Sequence, residues 1–407
     1  MSKIKIKNFG PIKDGLDENN GFIDIKQITI FIGNQATGKS TIVKIFSTLA
    51  WLEKSIYQET LSENDIVRYN RFINKFCAYQ GLKNYFQEDT YLEYIGDSYT
   101  FKYSNQELEI KKLNNEYLVP QIMYVPAERN FLSILEDSKK QKGLPSSLYT
   151  FLEEFEKSKR EIKGEIELPI NNLSFEFQKQ NKISYIKGKD YKIRLSEASS
   201  GIQSLLPVYL VSKFLADSIN QEKDNSKKSL SIEESQKLKL KIIEILSNDK
   251  LSKEIKESAL ELLSSAFNNA CFINIVEELE QNLFPQSQKK LLYSLLAFVN
   301  KTKGNRLLLT THSPYIINYL TLSIKGTMVL EKISNNRDIK DRFEKIIPSN
   351  SCIDGKNVTV YELTDNGGIR ILDSYKNLPS DENFLNLFLE ETNDEYSKLL
   401  DIEDELI

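Results

Sequence analysis

The sequence predicts an α/β fold, and three stretches carry that prediction. The β-branched run "FIDIKQITIFI" over 22–32 passes through a glycine-rich turn into an apolar-periodic helix. The apolar run Cys271 to Val276, broken only by Asn274, ends on two acids, and "LLLTTHSPY" ends a further apolar run beside the only histidine of 407 residues. Strand runs alternating with helix-period runs describe a sheet covered by helices, and a chain of this length buries a large core with room for insertions.

Directly after the first strand stands "GNQATGKST", in which Gly33, Gly38, Lys39 and Ser40 satisfy G-x-x-x-x-G-K-[ST] without a gap. Ile42, Ile45, Phe46, Leu49 and Leu52 then recur at helical spacing. A loop whose amides meet a helix N-terminus is an anion site, so Gly33, Asn34, Gln35, Ala36, Thr37, Gly38, Lys39, Ser40 and Thr41 form a candidate cradle for nucleotide phosphates. In such a cradle Lys39 holds the β- and γ-phosphates and the Ser40 hydroxyl ligates magnesium.

Two meanders are expected next, one over about 91–125 and one at "LSFEFQKQNKISYIKGKDYKIRL". In "SSGIQS", Ser200 and Gly201 open a predicted helix that Pro207 should kink. A serine and a glycine at that point make either a second anion-binding end or an ordinary N-cap. The stretch from Gly201 to Glu277 exceeds one helix and one strand. Its excess reads as a helical hairpin broken at Asn248 and Asp249, whose Lys237, Lys239 and Lys241 are either a solvated face or a nucleic-acid contact.

Glu277 and Glu278 end the second apolar run, and acids there are costly unless they serve a cation. Glu277 is expected in the magnesium shell and Glu278 beside the attacking water. Beyond His312 the chain reads as a strand, a hairpin around "TDNGG" and an acidic end with Lys398 as its lone base from 377 onward. Phe384, Leu387, Phe388 and Leu399 give that end an apolar face for its own core or for a partner.

Composition narrows the classes. The 54 Lys and Arg against 58 Asp and Glu leave a net charge of -4, so no overall positive field holds the chain on nucleic acid, and DNA contact is left to a local groove. Cys77, Cys271 and Cys352 are scattered and fit reduced thiols. The N-terminus lacks the apolar stretch of a signal peptide and no run has the length of a membrane span, so a cytoplasmic protein is expected.

The order "GNQATGKST", "SSGIQS", "IVEELEQNLFP", "LLLTTHSPY" resembles the ABC-type P-loop ATPase head of the SMC-like branch, which includes the repair ATPases and the OLD-like defence ATPases. The N-terminal "KNFGPIK" suits that branch better than a transporter subunit. The resemblance implies a head-to-tail dimer or higher even-numbered oligomer sandwiching Mg-ATP, with Ser200 and Gly201 acting in trans. It also gives His312 the part of the switch histidine that contacts the γ-phosphate and attacking water. No second histidine suggests a metal site, and no G-x-S-x-G elbow suggests a triad. Arg129 or Glu128 of "YVPAERN" takes the place of the Q-loop or forms a surface ion pair.

Departures from the pattern are Glu277 in place of aspartate, Ile202 in place of glycine and Leu279 in place of proline. The first two leave open an ATP-binding scaffold with little turnover. The expected organisation is an ATPase head with an antiparallel β-subdomain split over 1–207 and 270–375, a helical insertion over 208–269 and an acidic helical tail over 376–407. The short arm and the lack of a D-x-D motif look like the ATPase subunits of anti-phage systems such as PARIS or Septu. A nuclease effector would then be a separate chain, and the competing reading is a DNA repair or recombination ATPase.

Overall fold

Parallel pairing dominates the centre of this computed structural model, which describes residues 2–133, 144–222, 240, 269–333 and 337–405. The chain opens with β1 (Lys3–Phe9), β2 (Gly15–Leu16), β3 (Ile23–Asp24) and β4 (Ile28–Gly33), followed by α1 (Lys39–Tyr57) and the short α2 (Glu63–Val67). Strands β5 (Phe86–Ile95), β6 (Tyr99–Ser104) and β7 (Glu107–Lys112) form a meander, and β8 (Pro120–Val125) returns to the centre. There follow α3 (Ser146–Glu161), β9 (Glu165–Glu167), β10 (Ser174–Gln178), β11 (Ile183–Lys187), β12 (Lys192–Arg194) and α4 (Ser200–Glu222). The last third holds β13 (Cys271–Val276), α5 (Pro285–Asn300), β14 (Arg306–Thr310), α6 (Pro314–Leu330), α7 (Arg337–Ile346), β15 (Val358–Leu363), β16 (Gly368–Ile371) and α8 (Phe384–Glu405).

The central seven-stranded sheet runs β2-β16-β15-β4-β14-β13-β8, and β15, β4, β14, β13 and β8 are parallel neighbours. Strands β4 and β13 are buried at every position, which is why they read as unbroken apolar runs rather than alternating ones. Ile28, Ile30 and Ile32 face a core shared with α3, α4, α5 and α6, while Phe31 faces a second core under α1 and the five-stranded antiparallel sheet β3-β1-β5-β6-β7. A four-stranded antiparallel sheet, β12-β11-β10-β9, carries the second meander. The fold is thus α/β with antiparallel accessory sheets, as the sequence predicts.

Several local expectations change. The run over 22–32 splits, because β3 pairs with β1 while β4 enters the central sheet. The first meander keeps three strands, and β8 leaves it to pair with β13. Helix α4 continues past 207 to Glu222, burying Val208, Val211, Leu215 and Ala216 in the same core as α5. Val208 to Ala216, assigned above to the insertion, thus pack in the core shared with α5. Pro207 lies inside this helix and offers no N–H to the Gln203 carbonyl, which instead accepts the Ser133 hydroxyl at 2.8 Å. The expected helical hairpin, with Lys237, Lys239 and Lys241, lies outside the described residues.

Beyond His312, helices α6 and α7 precede the strand and the expected hairpin, which forms as β15 and β16. The β-branched content of α6 gives way to packing, since Ile316, Ile317, Leu320 and Ile324 line one buried face at helical spacing. The acidic end becomes α8. Its start is anchored where buried Glu362 accepts the Phe384 amide at 2.6 Å, but Phe388 is 53% and Leu399 64% exposed. Among the described residues no helix is long and apolar enough to cross a membrane.

The phosphate-loop helix is tied to the antiparallel sheet by one buried acid. Glu53 accepts from the Tyr94 hydroxyl at 2.6 Å, from Ser98 N at 2.6 Å and Oγ at 3.1 Å, and from Tyr99 N at 3.1 Å. Burial raises the Glu53 carboxyl above its ordinary value against the pull of these donors. Glu53→Ala strands several donors in the second core, so urea denaturation should show a loss of about 3 kcal/mol.

Candidate functional site

The glycine-rich loop needs its glycines for room as well as for conformation. Gly33 has φ 143°, and a Cβ there would stand 2.6 Å from the Leu363 carbonyl oxygen. Gly38 precedes α1 with φ 107° and would meet Ile12 at 2.9 Å. Lys39 folds back over the loop, its Nζ donating to the carbonyls of Gly33 at 2.9 Å and Asn34 at 2.7 Å, and the Thr37 hydroxyl donates to Asn34 at 2.9 Å. Asn34, Gln35 and Ala36 are exposed at the loop tip, Thr37 and Thr41 are buried, and Ser40 is half-buried at the start of α1. Burial lowers the Lys39 ammonium to about 8, opposed by the charges of Glu278 and Glu280.

Both acids stand at the carboxyl end of β13. The Glu277 amide donates to Val125 of β8 at 3.0 Å, and its side chain is buried with Oε1 lacking a hydrogen-bond partner. The Tyr124 hydroxyl is likewise buried and faces the Glu277 carboxylate, and burial together with the Glu277 charge and that contact pushes the phenol well above its ordinary value. The buried Glu277 carboxylate and the Ser40 hydroxyl are hard oxygen donors of the kind magnesium takes. Among the described residues no group of three or more His, Cys, Asp or Glu forms a metal cage.

Arg129 is placed differently from the Q-loop role. It is fully buried, and its guanidinium donates to the carbonyls of Glu277 at 2.6 Å, Glu278 at 2.6 Å, Pro126 at 3.3 Å and Ser204 at 3.3 Å. Spent on main-chain oxygens, it is a clamp on the acid loop rather than a surface ion pair or a phosphate ligand in this conformation. Burial lowers it to about 10, so it stays charged at neutral pH.

His312 lies just beyond β14, half-buried. Burial and the Lys39 charge lower its imidazole, against the charges of Glu280 and Glu278 and a hydrogen bond with the Gly33 backbone. Lys39, Glu278 and His312 therefore sense one another electrostatically across three neighbouring strands. Ser200 is exposed at the first turn of α4, and Gly201 packs on the acid loop, where a Cβ would stand 2.8 Å from the Asn282 carbonyl oxygen.

Sequence reasoning missed Glu280, Asn282 and Thr310. The Glu278 amide donates to the Thr310 hydroxyl at 3.1 Å, Asn282 Nδ2 donates to the Ser204 hydroxyl at 3.1 Å, and the Glu280 carboxylate accepts from Thr311 and His312. The lateral pairing of β13 with β14 makes Glu278 and Glu280 neighbours of Thr310, Thr311 and His312, and α4 brings Ser204 to Asn282.

Residues 260–317 match the AAA ATPase domain family, a segment that holds both the paired acids and the histidine. The chain is an ATP-hydrolysing enzyme. No curated protein matches the chain. Among solved structures it is similar to the SMC head domain from Thermotoga maritima, at 10% identity over 92% of this chain and 98% of that one, with a TM-score of 0.36. It is also similar to the Smc head domain with an extended coiled coil bound to the C-terminal domain of ScpA derived from Pyrococcus furiosus, at 9% identity over 98% and 100%, with a TM-score of 0.32. A dimeric ATP-binding cassette bound to ADP and Pi matches at 11% identity over 92% and 100%, with a TM-score of 0.28. These superpositions are loose, and the fold rests on the strand order itself.

Two outcomes follow for this ATPase site. The lone histidine makes the imidazole Hε1 signal in proton NMR unambiguous, and because its surroundings disfavour the charged ring, its titration midpoint in the nucleotide-free protein should fall below 6.5. Arg129→Met leaves buried carbonyls unpaired, so the unfolding free energy should drop by about 3 kcal/mol. A variant of unchanged stability that loses nucleotide affinity would restore the ligand role.

Proposed function

We propose that the chain is an ABC-type, SMC-like ATPase that binds Mg-ATP, pairs head to tail with a second copy and hydrolyses ATP slowly. We infer further that this cycle restrains or releases a separate nuclease effector in anti-phage defence. One observation carries the ATPase reading: Lys39, Glu278 and His312 leave the same end of three adjacent parallel strands and act on one another's charge. The defence reading rests on the resemblance together with an acidic helix α8 that presents Phe388, Tyr396 and Leu399 to solvent.

In this mechanism Lys39 trades its contacts with the loop carbonyls for the β- and γ-phosphate oxygens, while the loop amides hold the phosphates in line. Ser40 and Glu277 would hold magnesium, which would supply charge neutralisation to the phosphates. Glu278 orients the attacking water and accepts its proton. A neutral His312 can donate one hydrogen bond to the γ-phosphate without adding a fixed charge. Ser200 and Gly201 meet the γ-phosphate held by the other copy, which gives the exposed start of α4 its use.

Light scattering on Glu278→Gln with and without Mg-ATP tests the sandwich. The expected result is an ATP-dependent doubling of mass that Ser200→Arg abolishes, with turnover reduced about 100-fold or more while nucleotide still binds. A monomer in both states sinks the head-to-tail reading. Wild-type protein that dimerises without turnover would be the ATP-binding scaffold instead.

A further inference from the structure

The strands fix the backbone only as far as Val276 and Thr310, yet the side chains that act stand on the loops beyond. One carboxylate spans those loops. Glu280 Oε2 accepts the Thr311 hydroxyl at 2.7 Å, and Oε1 accepts the His312 amide at 2.6 Å. We infer that Glu280 is a positioning residue for the histidine loop, holding His312 at a fixed place relative to Glu278 and the phosphate loop through this two-oxygen clasp. The inference rests on the proposed ATPase reading for its catalytic consequence, though not for the clasp itself.

The surrounding hydrogen bonds leave the clasp little alternative. Thr311 Oγ1 accepts from the Ser313 amide at 3.0 Å, so its own proton is directed to Glu280. The Ser313 hydroxyl donates to Gln288 Oε1 at 2.7 Å, which pins the far flank of the histidine loop to α5. On the near flank the Glu278 amide holds the Thr310 hydroxyl at 3.1 Å. The backbone of His312 is thus set by Glu280, while its imidazole meets the Gly33 backbone of the phosphate loop.

The clasp also has a fixed footing. The carbonyls of Glu277 and Glu278 are held by buried Arg129, and Asn282 reaches Ser204 of α4 at 3.1 Å. Gly201, on the first turn of the same helix, packs against the Asn282 carbonyl. The groups acting on the imidazole are Lys39, Glu280, Glu278 and the Gly33 backbone, so loss of the clasp alters its surroundings even in protein without nucleotide.

Full-length Glu280→Gln and Glu280→Ala test this against the parent. Glutamine keeps one acceptor for the His312 amide, whereas alanine removes both. Because misplacing a catalytic group by about 1 Å costs on the order of 100-fold, kcat should fall about 100-fold in Glu280→Ala and less than about 10-fold in Glu280→Gln, with KM within about threefold in each. In ring-labelled protein the single histidine signal should move in both variants. Its titration midpoint should fall further in Glu280→Gln, where a charge favouring the protonated ring is gone.

The inference is overturned if the imidazole signal and its midpoint are unchanged in Glu280→Gln. A parallel loss of kcat, KM and melting temperature in Glu280→Gln would overturn it as well, because that marks a general loop defect. Should Glu280→Ala fail to fold, Glu280→Gln carries the test alone. A parent protein without turnover would remove the ATPase reading, while the imidazole signal would still judge the clasp.

Discussion

Parallel pairing of β4, β14 and β13 sets the height at which three loops leave the sheet. Phe31 pairs with Thr310 and Leu309 with Val276, so the phosphate loop, the histidine loop and the acid loop begin within about two residues of one level. Because these strands are buried on both faces, a slip of one residue would turn each side chain into the wrong core. Register is therefore specified by packing, and the geometry of the site follows from register. The Thr311 amide, donating to the Phe31 carbonyl at 3.1 Å, extends this pairing one residue past β14.

Charge is the second constraint. Glu277, Glu278 and Glu280 share one loop with Lys39 and Arg129 nearby, leaving three carboxylates against two cations. Arg129 lowers the local imbalance without competing for phosphate, because its donors are bound to main-chain carbonyls. Burying a guanidinium is costly, and the carbonyls that receive it offset the cost while fixing the acid loop against α4.

The two cores divide the work. One joins the sheet to α3, α4, α5 and α6, so the helix bearing Ser200 and the helix leaving His312 share packing. The other joins α1 to the antiparallel sheet, with Glu53 as its polar link, and braces the helix that presents Lys39 and Ser40. Helix α8 belongs to neither beyond its first turn, which leaves its acidic and apolar faces to solvent among the described residues.

By itself the sequence determined the phosphate loop, the buried strands and the candidate roles of Glu277, Glu278 and His312. Each of these is a local pattern: glycines where the backbone needs room, apolar runs where both faces are buried, polar residues at strand ends. It also placed the antiparallel meanders, since alternation and turn residues are short-range signals. Arg129 was legible as a residue near the site but not as a clamp, because its partners at Ser204, Glu277 and Glu278 lie far along the chain. Glu280 follows the pair but belongs to no motif by itself. The tertiary structure alone decided that β13 lies beside β14, and with that adjacency one carboxylate could reach both Thr311 and His312. Lateral strand order is a property of the packed sheet, and no spacing along the chain encodes it.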